Sequence, residues 1–338
     1  MIHVAINGFG RIGRRVFRLL KNNTNIQVVA INDIADAKTL SHLLKYDSVH
    51  GGFNGKVSHN ENYIIVDGKH ILLLNEKHPK DIDWTPFNVD FVIESSGKFK
   101  LISELIHHIN NGAKQVVLSV PPIEDEIKTI VLGVNNASIN GTETIISNAS
   151  CTTNNAAPMI DIINKLCGIN QAYITTVHSY TTDQSLHDQP HRDLRRSRAA
   201  SQSIVPTTTG AAKALTKIFP ELSEVIGGCG IRVPVINGSL TDITFNVKKT
   251  VSIEDINNAF KKASKENYKN ILEYTEDPIV SIDIVGNPHS CIFDSQMTSV
   301  IGKMVKIIGW YDNETGYSQR IIDLLCNLSE KKCLLSVK

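Results

Sequence analysis

The run Asn7-Gly8-Phe9-Gly10-Arg11-Ile12-Gly13, arriving straight after the apolar residues 2–7, restricts this chain more than any other stretch. Residues 2–7 read as a buried strand, and Val16, Leu19 and Leu20 carry on past the glycines as the apolar side of a helix. Strand, G-x-G-x-x-G and helix together have a physical meaning. They make a tight turn, a close backbone approach to a pyrophosphate, and a helix N-terminus whose unpaired N–H groups face it. The next strand, 26–31, ends at Asn32-Asp33. An acid about 20 residues beyond such a turn holds an adenosine ribose 2′-hydroxyl and repels a 2′-phosphate, which predicts NAD rather than NADP. The plainer alternative is that Asp33 is a turn residue.

The rest of the first half keeps this grammar. Residues 36–45 read as a helix, 57–66 and 70–74 as strands around the hairpin signal Asp67-Gly68, and 89–94 as a buried strand that turns at Ser95-Ser96-Gly97. A helix at 101–111 and a strand at 115–119 follow. Strand–turn–helix alternation with continuously apolar strands predicts an α/β fold, a Rossmann-type doubly wound parallel sheet covered on both faces. Ligands then lie beyond the carboxyl ends of the strands, where Gly8, Gly10, Gly13, Asp33, Ser96 and Ser119 all fall.

Beyond residue 150 long alternating strands take over, at 170–180, 229–236, 239–248, 279–285, 289–293 and 304–311, with helices at 210–218 and 252–266. That pattern predicts an α+β domain with a largely antiparallel sheet. At 338 residues the chain exceeds one hydrophobic core, so two domains are expected. Their boundaries are 1–149 and 150–315, with a C-terminal helix, 316–338, docking back on the first. The polar segment 181–203 lacks periodicity, and a loop of that length inside a compact domain is usually functional.

Between the halves sits Ser147-Asn148-Ala149-Ser150-Cys151-Thr152-Thr153-Asn154. Cys151 falls where a strand gives way to a helix N-terminus, a placement that favours an anion and lowers a thiol pKa. His178, in the strand-like run 173–180, is well placed as its base partner. Together they suit thiolate attack on an aldehyde, with the Cys151 backbone N–H as a second oxyanion donor. Hydroxyls at Ser150, Thr152 and Thr207-Thr208-Thr209-Gly210 suit tetrahedral anions, and Arg196 and Arg232 supply charge. A helix cap is the bland reading of the threonine run. Of ten arginines, eight fall within 11–18 and 192–198. Arginine forks suit phosphate and carboxylate, and a solvated helix face accounts for Arg15 and Arg18 but not for all eight.

Composition mainly excludes. A formal net charge of +1 points to neither nucleic acid nor an anionic membrane, and no apolar run approaches the roughly 20 residues of a membrane span. The opening Met-Ile-His-Val is already a strand, which leaves no room for a leader. The six cysteines show no metal-type pairing, so no metal is expected and a reducing cytoplasm is the simplest compartment.

The wording of these stretches goes further. SNASCTTN at 147–154 closely resembles the active-site segment of glyceraldehyde-3-phosphate dehydrogenases. The resemblance runs from INGFGRIGR at 6–14 through VHSYTTDQ at 177–184, HRDLRRSRAA at 191–200, PTTTGAAK at 206–213 and RVPVINGSLTD at 232–242 to WYDNETGY at 310–317. It implies Cys151 as nucleophile and His178 as base. It implies Ser150, Thr152, Thr209 and Gly210 for the attacking phosphate, and Thr181, Arg196 and Arg232 for the substrate's own phosphate. NAD contacts fall on Arg11, Ile12, Asp33, Ser119 and Asn313, the last carrying the nicotinamide amide. Lys77 stands where that family often has an arginine near adenine. Asn155 replaces a second cysteine usual there, and Thr315 a bulky apolar residue. The substrates implied are glyceraldehyde 3-phosphate and inorganic phosphate, in a cytoplasmic homotetramer whose 181–203 loop lines the neighbouring subunit's cofactor pocket.

Three alternatives compare poorly. Erythrose-4-phosphate dehydrogenases lack the T-T-T-G run present at 207–210. Non-phosphorylating aldehyde dehydrogenases lack this histidine arrangement. A nucleotide- or RNA-binding protein with a vestigial site would show gaps among the catalytic residues, and there are none. On this reading Asp33→Ala should narrow the preference for NAD over NADP, seen as converging kcat/KM values. Equal use of both cofactors by the unaltered chain would refute it.

Overall fold

The computed structural model describes the backbone of residues 1–336 and the side chains of 1–332, so residues 337 and 338 of the expected C-terminal helix lie outside the described residues. The chain divides into two compact units. One comprises residues 1–130, 136–149 and 318 onward, and the other 131–135 and 150–317.

The first unit begins with β1 (Ile2–Asn7), α1 (Arg11–Leu20), β2 (Ile26–Asn32) and α2 (Ala37–Lys45). There follow β3 (Val57–His59), β4 (Tyr63–Val66), β5 (Lys69–Leu74), β6 (Phe91–Glu94), α3 (Ile102–Asn110), β7 (Gln115–Leu118), β8 (Lys128–Thr129) and β9 (Ile145–Ser147). The sheet runs β3-β4-β5-β2-β1-β6-β7-β9-β8 and is parallel apart from the β3–β4–β5 meander. Every residue of β6 and β7 is buried, as strands covered on both faces must be. The turn of the β4–β5 hairpin has φ of 49° at Asp67 and 83° at Gly68, the left-handed pair that matches strand twist. The expected single strand 57–66 is broken at Asn60–Asn62, where Asn60 N–H returns to the Tyr63 carbonyl and separates β3 from β4. The Asp36 carboxylate caps α2 by accepting from Thr39 N–H at 2.7 Å. Nor is Arg18 the solvated side chain expected: its Nη2 donates to the Leu44 carbonyl at 2.6 Å and its Nη1 to the Gly51 carbonyl at 3.0 Å.

The second unit starts with α4 (Cys151–Cys167) and β10 (Ile169–Ser179). Then come β11 (Val205–Thr207), α5 (Ala211–Ile218), β12 (Ile226–Val233), β13 (Ser239–Val247), α6 (Ile253–Lys265), β14 (Leu272–Thr275), β15 (Cys291–Asp294), β16 (Ser299–Ile301) and β17 (Met304–Tyr311). The sheet order is β11-β12-β10-β13-β17-β15-β14, with β16 on β17. Only β10–β12 and β14–β15 are parallel pairs. Along β10 the alternation is clean: Ala172, Ile174, Thr176 and His178 are buried, whereas Tyr173 is 54% exposed. The expected strand 279–285 is instead a set of turns. Asp283 accepts from Val280 N–H through its side chain at 2.8 Å, and Val280 and Ile282 stay exposed. The final helix, α7 (Thr315–Ser336), is started by Asp312, whose Oδ1 accepts from the Glu314 and Thr315 amides. From residue 318 on it belongs to the first unit and buries Ile321, Leu324, Leu325 and Leu328.

Two glycines explain why the β1–α1 turn has its sequence. Gly8 has φ 92°, and a Cβ there would lie 2.5 Å from the Ser96 nitrogen. A Cβ on Gly13 would lie 2.3 Å from the Gly8 carbonyl oxygen. Neither neighbour is the yielding end of a side chain. Gly13→Ala should therefore cost about 1–3 kcal/mol of stability. A urea unfolding midpoint equal to that of the unaltered chain would contradict this packing account.

Candidate active site

After β9 the backbone takes one left-handed step, at the fully buried Ala149 (φ 57°). That conformation costs a non-glycine residue about 1–2 kcal/mol and tends to be retained where a turn must aim a side chain. Ser150 then caps α4, accepting from Thr153 N–H at 3.1 Å, and Cys151 is the first helical residue. His178, buried near the end of β10, brings Nε2 to 3.4 Å from the Cys151 sulfur. Arg232 is the partner of His178 in the parallel β10–β12 ladder, so the two side chains project side by side. Its Nη1 lies 2.7 Å from His178 Nδ1 and donates to the Ser179 carbonyl at 3.0 Å. Nδ1 is also 2.7 Å from that carbonyl. The Tyr311 ring meets the imidazole edge-on, centroids 5.9 Å apart, and its hydroxyl bonds Thr152 Oγ1 at 2.9 Å and Thr176 Oγ1 at 3.0 Å.

This environment overturns one expectation. Burial pushes the Cys151 thiol above its ordinary value, against the pull of Arg232, the Thr152 hydroxyl and the first amides of α4. Burial, reinforced by Arg232, depresses the His178 pKa to about 3. A helix terminus alone would have lowered the thiol pKa, but removing both charges from water outweighs it. At neutral pH the ring is uncharged. The cation facing the sulfur is Arg232.

The anion-binding candidates are disposed unevenly. Arg232 Nε and Nη2 have no protein partner among the described residues, nor does the Thr181 hydroxyl. Arg196 is held by Asp183, lies 3.5 Å from Asp193, and donates through Nε to Thr207 Oγ1 at 3.0 Å. Its charge still reaches His178 and Arg232. Thr209 Oγ1 accepts from Ala211 N–H at 3.2 Å, a local turn bond just before α5, whose N-cap is Gly210. Gly210 is open around its Cα, with nothing within 4 Å of a Cβ placed there. Thr181, Thr209 and Gly210 make no hydrogen bond to Cys151, His178 or Arg232.

In the first unit, Gly8, Gly10, Arg11, Ile12 and Gly13 form the turn into α1, and Asp33, Lys77 and Ser119 follow the carboxyl ends of β2, β5 and β7. These residues fit a dinucleotide. Gly10 has an ordinary φ and no protein atom within 4 Å of its Cβ position, so nothing in the protein requires a glycine there, whereas a close ligand would. No side chain caps α1, and a helix N-terminus favours an anion. Asp33 uses one bond from each oxygen, to Phe9 N–H at 2.7 Å and Ala35 N–H at 2.9 Å, and retains acceptor capacity for ribose hydroxyls. Arg11 points elsewhere, to Asp47 at 2.8 Å. Although burial opposes it, the His50 and Val49 amides and Arg11 hold that carboxyl at about 2. Lys77 is exposed. In the second unit, Asn313 Oδ1 accepts from the Ser179 hydroxyl at 2.9 Å, the Ser239 hydroxyl at 3.0 Å and Gly238 N–H at 3.2 Å. Its oxygen is saturated, so the amide N–H2 is what it offers a ligand.

Sequence reasoning missed Tyr311, although it stands in the quoted run WYDNETGY, and the Ser179–Ser239 clamp on Asn313. It also missed Asp183 and Asp193, whose pairing with Arg196 depends on how the 181–203 loop folds. Asn155 donates to the Ser290 and Trp310 carbonyls at 3.2 Å each, tying α4 to the sheet where a thiol would not. Thr315 is buried at the start of α7.

Residues 2–101 match the family model described as glyceraldehyde 3-phosphate dehydrogenase, NAD binding domain, and residues 150–313 that of its C-terminal domain. The chain is 47% identical to glyceraldehyde-3-phosphate dehydrogenase 1 of Bacillus cereus, over 98% of this chain and 99% of that one. It is 51% identical to glyceraldehyde-3-phosphate dehydrogenase 2 of Streptomyces avermitilis, over 96% and 97% respectively. The enzyme of Thermotoga maritima is 50% identical over 96% and 98%.

Because Arg232 favours the thiolate and disfavours the imidazolium, Arg232→Met should raise both pKa values. Alkylation of Cys151 by iodoacetamide at pH 7 should then slow by about tenfold, the effect of one pKa unit. Its rate–pH profile should move to higher pH. An unmoved profile would remove Arg232 from control of the sulfur.

Proposed function

The chain belongs to the glyceraldehyde-3-phosphate dehydrogenase family, and we propose that it converts glyceraldehyde 3-phosphate, NAD and inorganic phosphate into 1,3-bisphosphoglycerate and NADH. The observation that carries the reading is the Cys151 sulfur 3.4 Å from His178 Nε2, with Arg232 against the far side of the ring. We further propose that residues 1–149 with the C-terminal helix bind NAD and residues 150–315 carry the chemistry.

In this mechanism neutral His178 accepts the thiol proton through Nε2 as the sulfur attacks the aldehyde carbon. The carbonyl oxygen becomes an alkoxide, held by Nε2–H and by the Cys151 backbone N–H, and takes the proton to complete a thiohemiacetal. Bound at this site, NAD would supply the acceptor for the hydride that leaves the thiohemiacetal carbon. As it leaves, His178 removes the hydroxyl proton, and a thioester on Cys151 remains. A phosphate oxygen then attacks the thioester carbon, the C–S bond breaks with its electron pair staying on sulfur, the sulfur recovers its proton from His178, and the acyl phosphate departs. Arg232, Arg196 and Thr181 would hold the substrate's own phosphate; Ser150, Thr152, Thr209 and Gly210 would receive the attacking one. Gly8–Gly13, Asp33, Ser119, Lys77 and Asn313 would hold NAD, with Asn313 donating to the nicotinamide amide.

We also propose a homotetramer. Supporting it is the outer face of the second sheet, where Val177, Ile231, Leu240 and Trp310 stand in register and remain only half-buried. The proposed compartment is the cytoplasm, where a catalytic thiol stays reduced. The five described cysteines are all free, and no described helix is long and apolar enough to cross a membrane.

Absorbance at the NADH band tests the reaction. With phosphate or arsenate, turnover should be continuous; without either, a burst of about one NADH per site should precede a stop. No NADH, or steady turnover independent of phosphate, would sink the reading. Thr209→Ala should raise the phosphate requirement and spare the burst.

A further inference from the structure

Behind the β1–α1 turn lies a buried polar chain that the proposed chemistry does not use. Glu94, at the end of β6, is 1% exposed, and His108 of α3 and Trp84 are both fully buried, so none can turn to water for partners. Trp84 Nε1–H donates to His108 Nδ1 at 3.0 Å. An indole nitrogen only donates, so Nδ1 must be the unprotonated nitrogen and the ring proton sits on Nε2. Nε2 lies 3.2 Å from Glu94 Oε2, which also accepts from Asn7 Nδ2 at 2.5 Å. Glu94 Oε1 accepts from Ser96 N–H at 2.9 Å and from the Ser96 hydroxyl. Each donor set is thus directional, and the carboxylate receives four donors.

The chain continues sideways across the strand ends. Asn7 Oδ1 accepts from Asn32 Nδ2 at 2.7 Å, and Asn32 Oδ1 accepts from Glu76 N–H at 2.8 Å. It therefore links the carboxyl ends of β6, β1, β2 and β5. Ser96 is the residue against which Gly8 packs, and the Ser95 hydroxyl donates to the Gly8 carbonyl at 2.7 Å. Gly8 N–H donates to the Asn32 carbonyl at 2.8 Å. The glycine turn is thus held on both sides by residues that Glu94 and Asn7 locate.

We propose that Glu94 and His108 are positioning residues for dinucleotide binding, acting through Ser96 and Asn7 on the Gly8–Gly13 turn and through Asn32 on the neighbourhood of Asp33. The proposal rests on the reading of the first unit as the NAD-binding unit. It follows that the acceptor character of Glu94 matters more than its size. In Glu94→Gln one side of the group becomes N–H2, which faces either the Ser96 N–H or the donors of Asn7 and His108. Trp84 prevents His108 from reversing its proton, and Asn32 prevents Asn7 from flipping its amide without loss.

The test is calorimetric titration of the full chain with NAD and with ADP-ribose, which carries the pyrophosphate and both riboses but no nicotinamide. Glu94→Gln should weaken both on the order of tenfold, the usual cost of opposing a buried donor. The alkylation rate of Cys151 should be unchanged. His108→Gln, whose amide can accept from Trp84 and donate to Glu94, should bind both ligands as the unaltered chain does. His108→Leu, which fills space without either bond, should bind them about tenfold more weakly. If Glu94→Gln does not fold, the His108 pair decides alone. Wild-type affinity in both Glu94→Gln and His108→Leu overturns this proposal, as does equal weakening in His108→Gln and His108→Leu. Failure of the unaltered chain to bind NAD or ADP-ribose overturns the NAD reading itself.

Discussion

An uncharged imidazole wedged between a guanidinium and a thiol is the contact on which the second unit turns. Because β10 and β12 are parallel and in register, His178 and Arg232 have to stand side by side. Packing α4 over that sheet then removes both from bulk water, and desolvation sets the protonation states. The guanidinium resists losing its charge even though burial lowers its pKa, so it is the group that stays ionised, and the histidine yields. Two cations so close would repel strongly in a medium of low dielectric. The sulfur, as a thiolate, is the first of the groups that offset the arginine, with Tyr311 and Asp183 contributing less. Among the influences that favour the thiolate at Cys151, the fixed charge of Arg232 outranks the helix terminus.

The first unit solves the opposite problem. Its ligand would bring the negative charge, so the protein must keep donors free at α1 while tying down everything behind them. It does so with neutral or fully solvated-by-protein groups: two asparagines, one carboxylate with four donors, and a histidine in a single tautomer. Buried networks of this kind are costly when incomplete and rigid when complete. The arginines crowded into α1 are consistent with this division of labour. Arg11 is spent on Asp47, Arg14 on the Phe9 carbonyl and Arg18 on Leu44 and Gly51.

Most of this architecture was readable because strand ends and glycines are local signals. G-x-G-x-x-G after an apolar run, Asp67-Gly68 between strands, and alternation along β10 all act within a few residues. The strand expected at 279–285 failed because alternating apolar residues also suit turns once Asp283 supplies a side-chain acceptor to Val280. The thiol failed for a different reason: its pKa depends on depth and on Arg232, which is far away in sequence and adjacent only through the β10–β12 ladder. Arg196 was singled out as a charge near the site, but its two carboxylate partners lie on an aperiodic loop. Glu94 and His108 carried no signal at all, since an acid ending a strand and a histidine on a helix look like surface residues until burial is known.

The crowding at His178 Nδ1 has one more consequence for the proposed chemistry. With its proton on Nδ1, the ring donates to the Ser179 carbonyl, and Nε2 presents a lone pair that can take the thiol proton. With Nδ1 accepting from Arg232, the proton sits on Nε2, which becomes a donor to a thiolate or an alkoxide. Both neutral forms thus have a partner already in place on the far side of the ring, at the same 2.7 Å. Having taken the thiol proton, Nε2 is the donor that meets the alkoxide, whereas a ring locked in the second form could not accept the thiol proton. The same nitrogen serves as acceptor and donor in successive steps, and the ring carries a second proton only between them.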